Sequence, residues 1–297
     1  MSRRGWALFV AMSVIWGIPY LLIKVAVGEF DPVLVVFGRC VLGALVLVPL
    51  VLVRGQLRGL ARHWRPLLAF TVLEMTGPWL LLSIAEQSLS SSLTGLLVAT
   101  VPFVAALAGR LLGDEERLSR VRIGGMLLGV AGIVALLGLD VRGAQLVAIG
   151  AVVLTVIGYG TAPLIISRQL SDVPGVAASA VALVVTAVVY APFAVPRLGQ
   201  FAGAPVDALA AVVVLGLVCT ALALVLFFRL IREVGPQRAL VITFVNPAVA
   251  VLLGVLLLDE PFTVGIAVGL PVILVGCVLA TRRSRVPEPD PVPVAPA

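Results

Sequence analysis

The sequence predicts an all-α integral membrane protein: ten transmembrane helices arranged as two inverted five-helix repeats around a central cavity. Three observations carry this. The 297 residues are 61% hydrophobic and 12% charged, with mean hydropathy +1.18. Soluble domains carry about 25% charged residues, so lipid must solvate most of this surface. Ten apolar stretches of spanning length follow one another with short polar breaks. The chain also repeats itself. Pro102 is echoed by Pro247, 145 positions on, and Glu116, Gly125 and Gly132 by Glu260, Gly269 and Gly276, each 144 on. Such self-similarity marks a duplication.

The first apolar run, 6–27, follows Arg3 and Arg4. It is too long for a signal-peptide core and no small-x-small site closes it, so it reads as an uncleaved first span. The others are 32–53, 66–87, 92–113, 121–139, 143–167, 174–196, 206–228, 238–258 and 263–281. Each is near the roughly 20 residues that cross about 30 Å of hydrocarbon. Within lipid each must satisfy its own backbone, so helices follow. Residues 1–139 form the first repeat and 140–283 the second. The Pro-rich end, 284–297, lacks apolar periodicity and predicts an extended, disordered cytoplasmic tail.

Basic residues set orientation. With the N-terminus in the cytoplasm, sixteen of the 21 Lys and Arg fall on the inner side, while only Arg142 and Arg197 fall outside. Both termini are then cytoplasmic in a multi-pass protein of the cell membrane. Five helices per repeat is an odd number, so the second half enters from the opposite side. That is the plan of many secondary transporters, whose sites lie near the midplane between the halves.

The net charge of +6 sits in short loops between spans, a mark of membrane orientation and not of nucleic-acid binding. Cys40, Cys219 and Cys277 each lie inside an apolar run, no CxxC occurs, and the one His63 lies in an Arg-rich loop. Neither a disulfide frame, a metal site nor a cofactor is expected. A membrane enzyme is disfavoured, because the acidic loops 114–116 and 259–260 fall on opposite sides and cannot form one site.

Glu74 is the sharpest signal, a carboxyl mid-way along the third span with Thr71 and Pro78 on its face. A charge at that depth is costly and usually faces a bundle interior or wet cavity. Two roles stand open: a counter-ion or proton carrier that couples transport, or a protonated structural side chain. Lys24 and Arg39 lie toward the outer ends of the first two spans. Either they snorkel or pair with Glu29 or Asp31, or they draw an anionic group to the outer mouth. Halving the spans places Trp16 (with Tyr20 one turn on), Pro102, Tyr159 and Asn246-Pro247 near the midplane, and Pro78-Trp79 follow Glu74. Mid-helix prolines at matching depth permit kinks around a cavity. These residues are the substrate-binding candidates. The fifth and tenth spans carry closely spaced Gly and no buried charge, which reads as a packing or oligomer face.

VIWGIPYLLIKVAV resembles the opening of an EamA-type repeat of the drug/metabolite transporter superfamily, with Trp16-Gly17 and Lys24 in the pattern. Pro32 and Arg39, Pro102 with 112–116, and Gly125/Gly132 continue it, and Pro247, 258–261 and Gly269/Gly276 repeat it. The resemblance covers the chain to about Arg283. It departs where Tyr159-Gly160 replaces Trp-Gly, where Ser167-Arg168 stands for the Lys, and at Glu74, which is not part of the general pattern. It implies a ten-helix transporter with a cavity lined by helices 1–4 and 6–9, exporting amino acids or similar small metabolites. Cationic drugs and lipid-linked or amphipathic molecules remain alternative substrates. The expected partners are a small-molecule substrate and the lipid bilayer, for a monomer or homodimer.

Overall fold

The computed structural model describes residues 2–112, 119–137, 144–235, 239 and 241–281. The acidic turn at 114–116 and the tail at 284–297 lie outside them. Among the described residues all regular structure is helical.

Ser2 starts α1, Arg3–Ile15, its hydroxyl accepting from Gly5 N–H. A short break leads to α2, Pro19–Glu29. Asp31 caps α3, Pro32–Val53, with Oδ1 on Val33 N–H at 2.9 Å. The third span joins α4, Trp64–Thr71, a π turn at Val72–Thr76, and α5, Gly77–Ala85. Then come α6, Ser91–Val98, and α7, Val101–Leu111, followed by α8, Arg120–Leu137, and α9, Ala144–Gln169. Next is α10, Gly175–Ala194. The eighth span joins α11, Val206–Gly216, a second π turn at Leu217–Leu222, and α12, Ala223–Val234. The chain closes with α13, Ile242–Leu257, and α14, Val264–Ala280. Among the described residues seven segments are long and apolar enough to cross a membrane, and α13 and α14 are shorter apolar helices of 16 and 17 residues.

Two spans read from the sequence as continuous are broken. The first parts at Trp16, where Gly17 N–H reaches back to Val14 O and not to Ser13 O. The side-chain amide of Asn246, oriented so that both partners are satisfied, then donates to the freed Ser13 carbonyl at 3.0 Å and to Ile242 O at 2.9 Å. The fourth parts just before Pro102: Phe103 N–H bonds Thr100 O, and the freed Ala99 carbonyl accepts from Cys277 Sγ at 3.1 Å. Each break thus finds its donor on a helix of the other half, meeting the rule that backbone at membrane depth must be satisfied. Pro247, by contrast, sits inside a continuous α13.

Packing pairs the two halves. α3 lies along α10, and α8 along α14. The third span packs through α5 on α9, and the corresponding eighth span packs on the first, α11 against α2 and α12 against α1. Gly17 meets Val249 and the Asn246 carbonyl, while Gly160 meets Val104, so each half presses a glycine into the other at matching places. Gly125, Gly132 and Gly276 of the fifth and tenth spans are used within the chain. A methyl on Gly125 would strike Gly276 O, and one on Gly276 would strike Gly125 O. This is the close-backbone contact that small residues permit.

Candidate functional site

The π turns Val72–Thr76 and Leu217–Leu222 begin 145 positions apart, the spacing of Pro102 and Pro247. π turns shift the carbonyl ladder, leave groups to be satisfied from outside, and are frequent at functional sites. Here the outside partners come from the neighbouring helix. Tyr190 on α10 donates its hydroxyl to Thr76 O at 2.6 Å, and Thr186 shares a 2.8 Å hydrogen bond with the Thr76 hydroxyl. In the second turn Thr220 donates to Leu215 O at 2.8 Å and accepts from Arg39 Nε on α3 at 2.8 Å.

Arg39 is only 7% exposed. Its guanidinium carbon lies 3.7 Å from the Trp79 ring centroid, the geometry of a cation–π contact. Among the described residues Nε alone is hydrogen-bonded, and no carboxylate pairs with the guanidinium. Tyr20, Tyr159, Cys40 and Cys219 stand within its electrostatic reach. Tyr159 lies beside Trp79 and feels Glu74, Arg39 and Tyr20. Glu74, inside the first π turn and half-buried, has no hydrogen bond or ion pair among the described residues. The structure therefore gathers Tyr20, Arg39, Glu74, Trp79 and Tyr159 around the junction of α2, α3, α5 and α9.

The other candidates lie elsewhere. Trp16 rests on Phe227, ring centroids 4.6 Å apart. Asn246 ties α13 to the break in the first span. Pro102 starts α7, and Pro247 is buried in α13. Pro78 is buried behind the π turn against α9, where Thr155 reaches its carbonyl at 3.4 Å. Lys24 and Arg39 do not pair with Glu29 or Asp31. Asp31 pairs with Arg197 at 3.2 Å, and Lys24 donates to the carbonyls of Glu86 (2.6 Å) and Leu89 (2.9 Å), a cation closing a helix C-terminus.

Sequence reasoning passed over Thr76, Thr186 and Tyr190, whose signal was polar side chains well inside apolar spans, and Glu86 at the end of the third span. The acidic turn at 259–260 precedes the last span, where acidic side chains suit a helix start, yet it does not cap that helix. The structure gives that task to Thr263, whose hydroxyl accepts from Ile266 N–H. Glu260 instead caps α6 of the other half, accepting from Ser91 N–H at 2.6 Å, Ser92 N–H at 3.0 Å and the Ser92 hydroxyl. Burial pulls the Glu260 carboxyl upward, but the Ser92 and Ser91 hydrogen bonds outweigh it and hold it below the usual carboxylate range. Two shallow apolar grooves, about 360 and 390 Å³, lie between α3 and α10 and between α4 and α10, and contain none of the candidate binding residues.

The profile of the EamA-like transporter family matches residues 3–138 and 146–282, two copies that together take in nearly the whole chain. The chain belongs to this family. An Escherichia coli (strain K12) protein described as an uncharacterized inner membrane transporter, YedA, is 29% identical over 284 residues, 93% of this chain and 89% of that one. An Archaeoglobus fulgidus protein described as an uncharacterized transporter is 20% identical, covering 94% and 99%. A solved crystal structure superposes with TM-score 0.68 at 20% identity over 93% of this chain and 96% of its own, a likeness of fold. This is a multi-pass membrane protein of a transporter family, with the two family copies meeting at the Arg39–Thr220 contact.

Proposed function

We propose that the chain is a secondary transporter that exports amino acids or related small metabolites across the cytoplasmic membrane by alternating access. The observation that carries the substrate class is the pair Arg39 and Glu74. A buried guanidinium without a carboxylate and a deep carboxyl without a partner lie near the same aromatic side chains, with Tyr159 within reach of both. Isolated buried charges are costly. A zwitterion would answer both at once, its carboxylate on the free Nη atoms of Arg39 and its ammonium on Glu74. Glu74 is then also the residue through which protonation couples to transport.

Alternating access is supported by the exchanged packing of the two family copies, which an inverted repeat produces. Sidedness is supported by the loop contacts. Arg62–Asp172, Ser2–Glu233 and Arg168–Leu112 O join loops assigned inside. Arg197–Asp31 and Glu260–Ser91 join loops assigned outside.

The test is counterflow in proteoliposomes over amino acids, nucleosides, sugars and cationic dyes. Movement of zwitterionic amino acids is expected. Movement of dyes alone would favour these aromatic side chains as a site for cationic drugs, and movement of a headgroup-labelled lipid alone would end the metabolite reading.

A further inference from the structure

Glu86 follows α5 and is 0% exposed, yet neither carboxylate oxygen has a hydrogen-bond partner. The Ser91 hydroxyl beside the same turn is likewise buried and unpartnered. The groups that face Glu86 are Lys24 and Tyr20 from α2 and Glu260 from the turn before α14. Farther along the same span, Arg39 lies over Trp79, seven residues or about two turns away, with Glu74 and Tyr159 deeper still. Among the described residues Lys24 is the one facing cation, and its ammonium is held by the backbone carbonyls of Glu86 itself and of Leu89. An ionised carboxylate left there would be a buried charge without a hydrogen bond, whereas a protonated one carries no charge to compensate.

These contacts admit two arrangements. In one, Glu86 is protonated, Lys24 stays on the carbonyls, and Glu260 clasps the start of α6. In the other, Glu86 is ionised and draws Lys24 onto its carboxylate, releasing the carbonyls of the turn between α5 and α6. We propose that Glu86 is a proton-binding site: it takes up one proton when the Glu260 end of the bundle closes and releases it to the adjoining solution when that end opens. On opening, the carboxyl O–H bond breaks, water or buffer accepts the proton, and the Lys24 ammonium balances the new carboxylate. The use made of this proton rests on the transporter reading; the site itself does not. It is separate from Glu74, twelve positions earlier in the span.

The experiment needs no transported solute. Spin labels are attached at Gly28→Cys and Phe262→Cys, both exposed at this end, in protein with Cys40, Cys219 and Cys277 replaced by alanine and reconstituted in liposomes. With one proton linked to closure, the ratio of long to short label separations rises about tenfold per pH unit above the midpoint. Glu86→Gln holds the short separation at every pH, and Glu86→Asp restores the shift. Infrared difference spectra between low and high pH show a protonated-carboxyl band that Glu86→Gln removes. A wild-type separation indifferent to pH, or a shift and band that survive in Glu86→Gln, overturns the site. If the site stands while the counterflow screen moves nothing, the transport reading fails alone; if solutes move and Glu86→Gln changes neither readout, this inference fails alone.

Discussion

Arg39 donates from Nε to Thr220 Oγ1 at 2.8 Å, so a buried cation of the first family copy is held at the π turn of the second. The bond fixes the guanidinium over Trp79 and leaves its Nη atoms free. Lysine has neither the planar fork nor the stacking face. Arg39→Lys is therefore expected to weaken binding of a carboxylate-bearing substrate by about 1.5–3 kcal/mol, roughly 10–100-fold. Thr220→Val removes a neutral acceptor and should cost less, about 0.5–1.5 kcal/mol. Titration of the substrate found by counterflow measures both, and equal affinities in all three proteins would remove Arg39 from the site.

Glu74 answers the ammonium of the proposed zwitterion. Glu74→Gln should lose substrate affinity and flatten the pH dependence of counterflow, since the amide cannot ionise. A variant that transports with the wild-type pH profile would remove Glu74 from coupling and leave it a structural residue.

Glu260 clasps the start of α6 from the other family copy. Its native carboxyl lies below the ordinary value of about 4.3. A lowered native value means the ionised form stabilises the fold. That contribution is complete above about pH 4.3 and is lost as pH falls through the lowered native value. Glu260→Gln should therefore melt at lower temperature than wild type near neutrality. The difference should shrink on acidification below about pH 4, as differential scanning fluorimetry in detergent would show. A gap that widens with acid contradicts this sign.

How much of this was legible beforehand differs by feature. The spans were, because lipid demands apolar runs of fixed length, and the duplication was, because Pro102 and Pro247 or Gly125 and Gly269 keep their spacing. The breaks at Trp16 and before Pro102 were not. A helix can part there only because Asn246 and Cys277 arrive from the other half to take the freed carbonyls, and a linear pattern does not show who arrives. The same holds for Arg39, whose place near a span end suggested snorkelling until α11 and its π turn supplied Thr220. Glu260 was legible as a helix cap in kind, but which helix it caps is a fact of tertiary packing.

Adjacent glycines separate packing from composition. A methyl on Gly125 would meet Leu279, the Ala280 amide and Gly276 O, whereas one on Gly124 meets nothing within 4 Å. Gly125→Leu should destabilise by at least the 1–3 kcal/mol typical of overpacking. Gly124→Ala should be neutral or stabilising by up to about 1 kcal/mol, since it removes backbone freedom from a helix interior. Thermal unfolding of the two variants gives the comparison, and equal losses would mean that α8 does not use this face against α14.

The inverted arrangement makes a prediction about two exposed positions at matching places in the repeats. Ser88 follows the third span and Arg232 ends the eighth, 144 positions later. A parallel duplication would leave both on one side of the membrane. An inverted one puts them on opposite sides, because five spans lie between them. Ser88 neighbours the Glu260 clasp, and Arg232 neighbours Glu233, which bonds Ser2 at the N-terminus. Single cysteines at Ser88 and Arg232, in protein lacking the three buried thiols, should be labelled by a membrane-impermeant maleimide from opposite faces of intact cells and inverted vesicles. Ser88→Cys should react in cells and Arg232→Cys only in inverted vesicles. Labelling of both from the same face would leave the duplication intact but overturn its inversion, and with it the alternating-access argument.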